Sequence, residues 1–100
     1  MVPKLLPKIC EAIHARKLLA FEYGDRPRVV QPYCHGVTRS GEALRAIQVR
    51  GTSSSPASTG GKLWTVSKMR GLRVLDEMFV PDDPSYNPED SAMLRIHCRI

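Results

Sequence analysis

The stretch from Arg28 to Gly51, RVVQPYCHGVTRSGEALRAIQVRG, constrains the fold more than any other. Val29, Val30, Tyr33 and Val37 give its first arm β-branched and aromatic character. Thr38-Arg39-Ser40-Gly41 is turn chemistry between two apolar runs. In the second arm, Ala43, Arg45, Ile47 and Val49 alternate with Leu44, Ala46 and Gln48, the period of a strand. A hairpin leaves a ladder open on each side and cannot bury a core alone, so the flanking segments must supply its partners.

They have the patterns to do so. Leu6, Ile9, Cys10 and Ile13 recur at helical spacing behind Pro3 and Pro7, which suit a helix entry, and predict an amphipathic helix over 7–16. Lys17 to Tyr23 reads as a strand, turned by Gly24-Asp25-Arg26-Pro27 into the hairpin. Residues 52–61, TSSSPASTGG, have no apolar period and read as a flexible surface loop. Lys62 to Met69 and Leu72 to Phe79 resume strand chemistry. Residues 80–92 form an acidic, proline-rich loop, and Met93 to Ile100 alternates as a terminal strand, with Leu94, Ile96, Cys98 and Ile100 on its apolar face. The expected fold is therefore mainly β: one domain, a small antiparallel barrel of about five strands over 17–79, an N-terminal helix and an additional C-terminal strand.

Charge is unevenly spread. Fifteen Lys and Arg against ten Asp and Glu give +5, but Asp76, Glu77, Asp82, Asp83, Glu89 and Asp90 fall in one segment without a basic residue. The rest of the chain carries fifteen basic and four acidic residues, a balance of +11 that attracts polyanions at modest ionic strength. Arg45, Arg50, Lys62, Lys68, Arg70 and Arg73 lie on strands expected to be neighbours. The first five form the candidate anion-binding set, with Tyr33 and His35 as stacking groups; Trp64 is expected in the core. The partner expected of such a face is single-stranded nucleic acid or a nucleotide-like anion.

Three widely separated cysteines, Cys10, Cys34 and Cys98, read as thiols of a reducing cytosol, with Cys10 in the core. The N-terminal residues lack a signal peptide's apolar run, and no stretch has the length of a membrane span, so a soluble cytoplasmic protein is expected. Cys10 and His14, Cys34-His35 and His97-Cys98 do not have the spacing of a structural zinc site, and neighbours along a strand point to opposite faces. No metal and no other cofactor is expected. Ser53-Ser54-Ser55 and Ser58 have no activating partner in sequence, Asp82, Asp83, Glu89 and Asp90 fit no calcium loop, and Gly60-Gly61 is an isolated pair. The expectation is a non-enzymatic protein. The regular ladder of Met93 to Ile100 suits pairing with a second copy or a partner protein.

The order of segments resembles the WYL domain, a Sm-like β-barrel of bacterial regulators. The resemblance runs from Ala12-Ile13 through Leu19-Ala20-Phe21-Glu22-Tyr23, Arg28-Val29-Val30-Gln31-Pro32, Leu44-Arg45-Ala46 and Lys62-Leu63-Trp64-Thr65-Val66-Ser67-Lys68-Met69 to Leu75-Asp76-Glu77-Met78-Phe79. Where that family has Trp-Tyr-Leu this chain has Glu42-Ala43-Leu44, and Lys62 and Lys68 stand where it has arginines. Lysine keeps the charge and loses the bidentate fork. The resemblance implies a ligand-sensing regulatory module binding nucleic acid or nucleotide-like ligands through a basic barrel face. With no room expected ahead of Pro7 for the family's usual winged helix, it implies the sensor alone or one component of a larger assembly. The alternative reading is an interaction subunit whose basic face and terminal strand bind an acidic partner protein.

Overall fold

A computed structural model describes residues 5–51, 62–81 and 89–100. It is mainly β, with one N-terminal helix and six antiparallel strands, as the alternation predicts. Helix α1 spans Leu5–Ala15 and buries Ile9 and Ile13 of the expected stripe together with Ala12, while Cys10 is half-buried. Arg16 ends it in the left-handed region, φ 56°, and its carbonyl accepts from the Phe79 N–H at 2.9 Å.

Strand β1 (Lys17–Tyr23) passes through Gly24 and Asp25, both at positive φ, into the long β2 (Arg26–Thr38). Two positive-φ residues give a hairpin turn whose twist matches its strands. Strand β3 (Gly41–Gly51) returns against β2 from the Thr38↔Gly41 pair, where the Thr38 hydroxyl closes the turn by donating to the Gly41 carbonyl and accepting from the Ser40 N–H. Strand β4 (Lys62–Thr65) is shorter than the alternation predicts, because Val66–Lys68 forms a 3-10 turn before β5 (Arg70–Met78). Strand β6 is Arg95–Arg99. The expected loop at 52–61 lies outside the described residues, as do residues 82–88 of the acidic loop.

The order β4-β3-β2-β1-β5 sets the shape. Its two end strands are neighbours in sequence, joined by Val66–Lys68 and Met69, so the sheet curls until its ends lie within that short reach. Among the described residues no strand pairing joins β4 to β5. β3 occupies one edge of β2 throughout; the other is shared, with β1 on Arg26 to Val30 and β6 on Cys34 to Val37. A bulge falls between His35 and Gly36 in the β2–β6 ladder. A Cβ at Gly36 would run into the Arg95 carbonyl oxygen, so glycine here lets β6 approach.

Apolar side chains collect on both faces of the curled sheet. The larger cluster joins Ile9 and Ile13 of α1 to Leu19, Phe21, Val30, Leu44, Trp64 and Leu72. Phe21 and Tyr23 meet the Trp64 ring edge-on at 5.4 and 5.0 Å, and its Nε1–H donates to the Ala46 carbonyl at 3.2 Å. A second cluster holds Leu18, Tyr33 and Phe79 with Val29, Ile47, Leu75 and Ile100. The cysteine expectation is corrected: Cys10 of α1 and Cys98 of β6 form a disulfide across 88 residues, and Cys34 is buried outside it. Sequence distance concealed a pair that folding brings to a Cα separation of 5.7 Å. No described helix is long and apolar enough to cross a membrane.

Candidate functional site

The expected basic face divides when its residues are placed. Arg45 donates Nε and Nη2 to the Asp90 carboxylate at 2.7 and 3.0 Å, and the Ala92 N–H donates to the same carboxylate. Asp90 is 7% exposed, and the Arg45 hydrogen bonds hold its carboxyl below the ordinary value against the cost of burial. Arg45 thus anchors the segment leading into β6. Arg50 pairs with Glu77 at 2.6 Å in the open, where screening leaves such a contact little weight. The Lys62 Nζ and the Arg28 guanidinium lie 4.9 and 5.6 Å from the Trp64 ring centre. Lys68 and Arg70 line an open cavity of about 400 Å³ with Glu22, Gly24, Asp25 and Ser67. Among the described residues, Lys62, Lys68 and Arg70 make no ion pair.

Tyr33 and His35 were expected to offer rings for base stacking, and their burial corrects this. Tyr33 is 2% exposed against Phe79, and His35 is fully buried. His35 falls in the part of β2 flanked by β3 and β6, and Tyr33 just before it, its carbonyl accepting from the Ile100 N–H at 2.9 Å.

His35 instead belongs to a cluster that includes Glu42, a residue no sequence motif singles out. On one side its Nδ1 lies 3.9 Å from the Cys10 Sγ of the disulfide. On the other its Nε2 lies 3.1 Å from the Glu42 Oε2 of β3. The His97 Nε2 of β6 reaches the same carboxylate, 2.9 Å from Oε1 and 3.1 Å from Oε2. The two imidazole centres are 5.1 Å apart. Besides the lack of zinc-site spacing, alternation along β6 should send His97 and Cys98 to opposite faces, a ground against a metal site there. The bulge removes that ground: His35 pairs with Cys98 and Gly36 with Ile96, so His97 is the extra residue, and a bulge re-aims its side chain.

Burial pushes the His35 pKa down to about 4, against the opposing pull of Glu42 and with a further push from His97. At neutral pH His35 is a neutral imidazole, one nitrogen facing a carboxylate and the other a sulfur. Such a group can relay a proton, orient a partner or donate a lone pair. Two groups of side chains, Cys10 with His35 and Cys98, and His35 with Glu42 and His97, bring their donor atoms within 4.8 Å of one another. The sequence signals are the Cys-His and His-Cys dipeptides at 34–35 and 97–98 and the acid at the head of β3; none of them specifies that α1 and β6 meet.

Fold and site together define a class: a small curled antiparallel β domain whose N-terminal helix and C-terminal strand meet over a Cys-His-Glu centre. No family model, no curated protein and no solved structure matches the chain.

Proposed function

We propose that the chain is a non-enzymatic, WYL-like regulatory module that binds single-stranded nucleic acid or a nucleotide-like anion. The observation that carries the reading is three cations unpaired among the described residues, Lys62 at the Trp64 ring with Arg28 and Lys68 with Arg70 on one cavity, on a chain of net charge +5. Arg45 contributes less, since the nearly buried Asp90 already neutralises it. Phosphate contacts of this kind confer affinity with little sequence preference. A cytoplasmic setting belongs to the proposal, with one condition: in a reducing cytosol Cys10 and Cys98 stand as neighbouring thiols.

The test is fluorescence anisotropy with a labelled single-stranded oligonucleotide across a salt series. Each phosphate neutralised contributes about −0.7 to the slope of log affinity against log salt. Replacing Lys62 and Lys68 by alanine should flatten the slope by roughly 1 to 1.5. The same substitution at exposed Lys8 of α1 should change it much less. Equal effects would reduce the binding to general attraction and end the proposal.

A second reading rests on β6, which among the described residues pairs only with β2 and is preceded by Leu94, 68% exposed. Its outer edge can take another strand, from a second copy or an acidic partner protein. Sedimentation showing a strict monomer at high concentration removes the self-pairing version.

A further inference from the structure

We propose that His35, Glu42 and His97 form a binding site for a divalent first-row transition metal of the zinc class. This revises the expectation of a metal-free protein and stands independently of the anion-binding reading. Three strands each supply one group: His35 from β2, Glu42 from β3 and His97 from the β6 bulge. A metal held at about 2.0–2.2 Å by nitrogen and oxygen needs ligand atoms roughly 3–3.5 Å apart. The two histidine Nε2 atoms stand 3.1 and 2.9 Å from the nearest Glu42 oxygens, with the carboxylate between them. Each histidine nitrogen thus stands from the carboxylate at about the spacing a common metal would impose, and all three donors lie within 4.8 Å of one another. Two imidazoles and one carboxylate suit a borderline divalent ion better than calcium or magnesium, which prefer oxygen throughout.

The graded exposure fits the same site. The His35 side chain is fully buried and forms the inner anchor, whereas those of Glu42 and His97 are 28% and 29% exposed and leave an entry from solvent. Three protein ligands leave a fourth position for water, the stoichiometry of an open rather than a sealed zinc site. To ligate through Nε2, neutral His35 must carry its proton on Nδ1, which faces the Cys10 Sγ at 3.9 Å, a soft acceptor that accommodates that tautomer. A bound ion would fasten β6 to β2 and β3, beside the seam where α1 meets β6.

The test uses the full chain with its disulfide intact, stripped with a chelator and titrated with Zn²⁺ by calorimetry and with Co²⁺ by absorption. One ion per chain is expected, with visible d–d bands and no thiolate charge-transfer band. His97→Ala and Glu42→Gln should each weaken binding at least about 100-fold, the upper end of what loss of a mere supporting partner costs. Zn²⁺ at about 100 times Kd should raise the wild-type Tm by roughly 10–20 °C and leave that of His97→Ala nearly unmoved. His97 is exposed on the bulge, so this variant keeps the test usable if Glu42→Gln fails to fold. Absence of saturable binding would overturn the proposal, as would affinity undiminished in His97→Ala. So would binding that needs reduction and shows a thiolate band, which would move the site to Cys10 and Cys98. A metal-independent Tm that simply drops in His97→Ala would leave only a hydrogen-bonded clasp and also refute it.

Discussion

Acid should destabilise this protein through His35 before it reaches the carboxylates. The imidazole is held to a pKa of about 4 against 6.5 in an unfolded chain, mainly because burial disfavours its charged form. The groups facing it are Glu42 of β3, which favours its charge, His97 of β6, which opposes it, and the Cys10–Cys98 disulfide, which does not titrate. With the folded value depressed, His35's contribution is fully present above pH 6.5 and is lost as pH falls through 4, because only the unfolded chain takes up the proton in between. At about 1.4 kcal/mol per pH unit, the loss reaches about 3 kcal/mol by pH 4, a large part of a small domain's stability. Asp90 has its carboxyl held below 3.8, so its own contribution is lost at lower pH. Urea unfolding of metal-free protein from pH 7 to 4, followed through the single tryptophan, measures this. His35→Leu is the comparator and should remove most of the slope between pH 6.5 and 4. A wild type equally stable at both ends would mean that His35 is charged in the fold as an ion pair with Glu42, and the burial reasoning would be wrong. A slope that persists in His35→Leu would assign it to other groups.

Three further outcomes follow from the packing. Asp90→Asn should cost about 2–3 kcal/mol in urea unfolding, since it weakens a two-pronged contact of a nearly buried carboxylate and strands part of the Arg45 guanidinium; a cost below 1 kcal/mol would count that pair as surface decoration. Replacing Cys98 by alanine should cost about 4 kcal/mol, from the entropy returned to an unfolded chain no longer cross-linked across 88 residues; equal stability of oxidised and reduced wild type would contradict this. Trp64→Ala should cost about 3–5 kcal/mol, whereas Trp64→Phe, which keeps a ring against Phe21 and loses the bond to Ala46, should cost less.

The hairpin, the helix stripe and the small β domain were legible because each depends on contacts between near neighbours. Val29, Val30 and Tyr33 announce a strand, and Thr38 to Gly41 a turn, whatever the rest of the chain does. The 3-10 turn at Val66–Lys68 was not, since its residues continue the strand pattern and only joining β4 to β5 requires the bend. The basic face was legible in composition and misread in geometry. Arg45 looks like an available cation until Asp90, 45 residues away in sequence, closes on it.

What the sequence determined by itself is the set of local preferences: which segments are strands, which stripe of α1 is apolar, and an excess of positive charge over most of the chain. Only the tertiary structure decided where the two ends go. It seats β6 on the part of β2 that β1 leaves open, joins Cys10 to Cys98, and inserts His97 as a bulge so that it meets His35 and Glu42. Strand period is a property of consecutive residues, whereas register and bulges are set by how two strands fit against a shared core. A one-residue slip at Gly36, where only a glycine lets Arg95 approach, turns a histidine that alternation sends away from the cluster into one of its members.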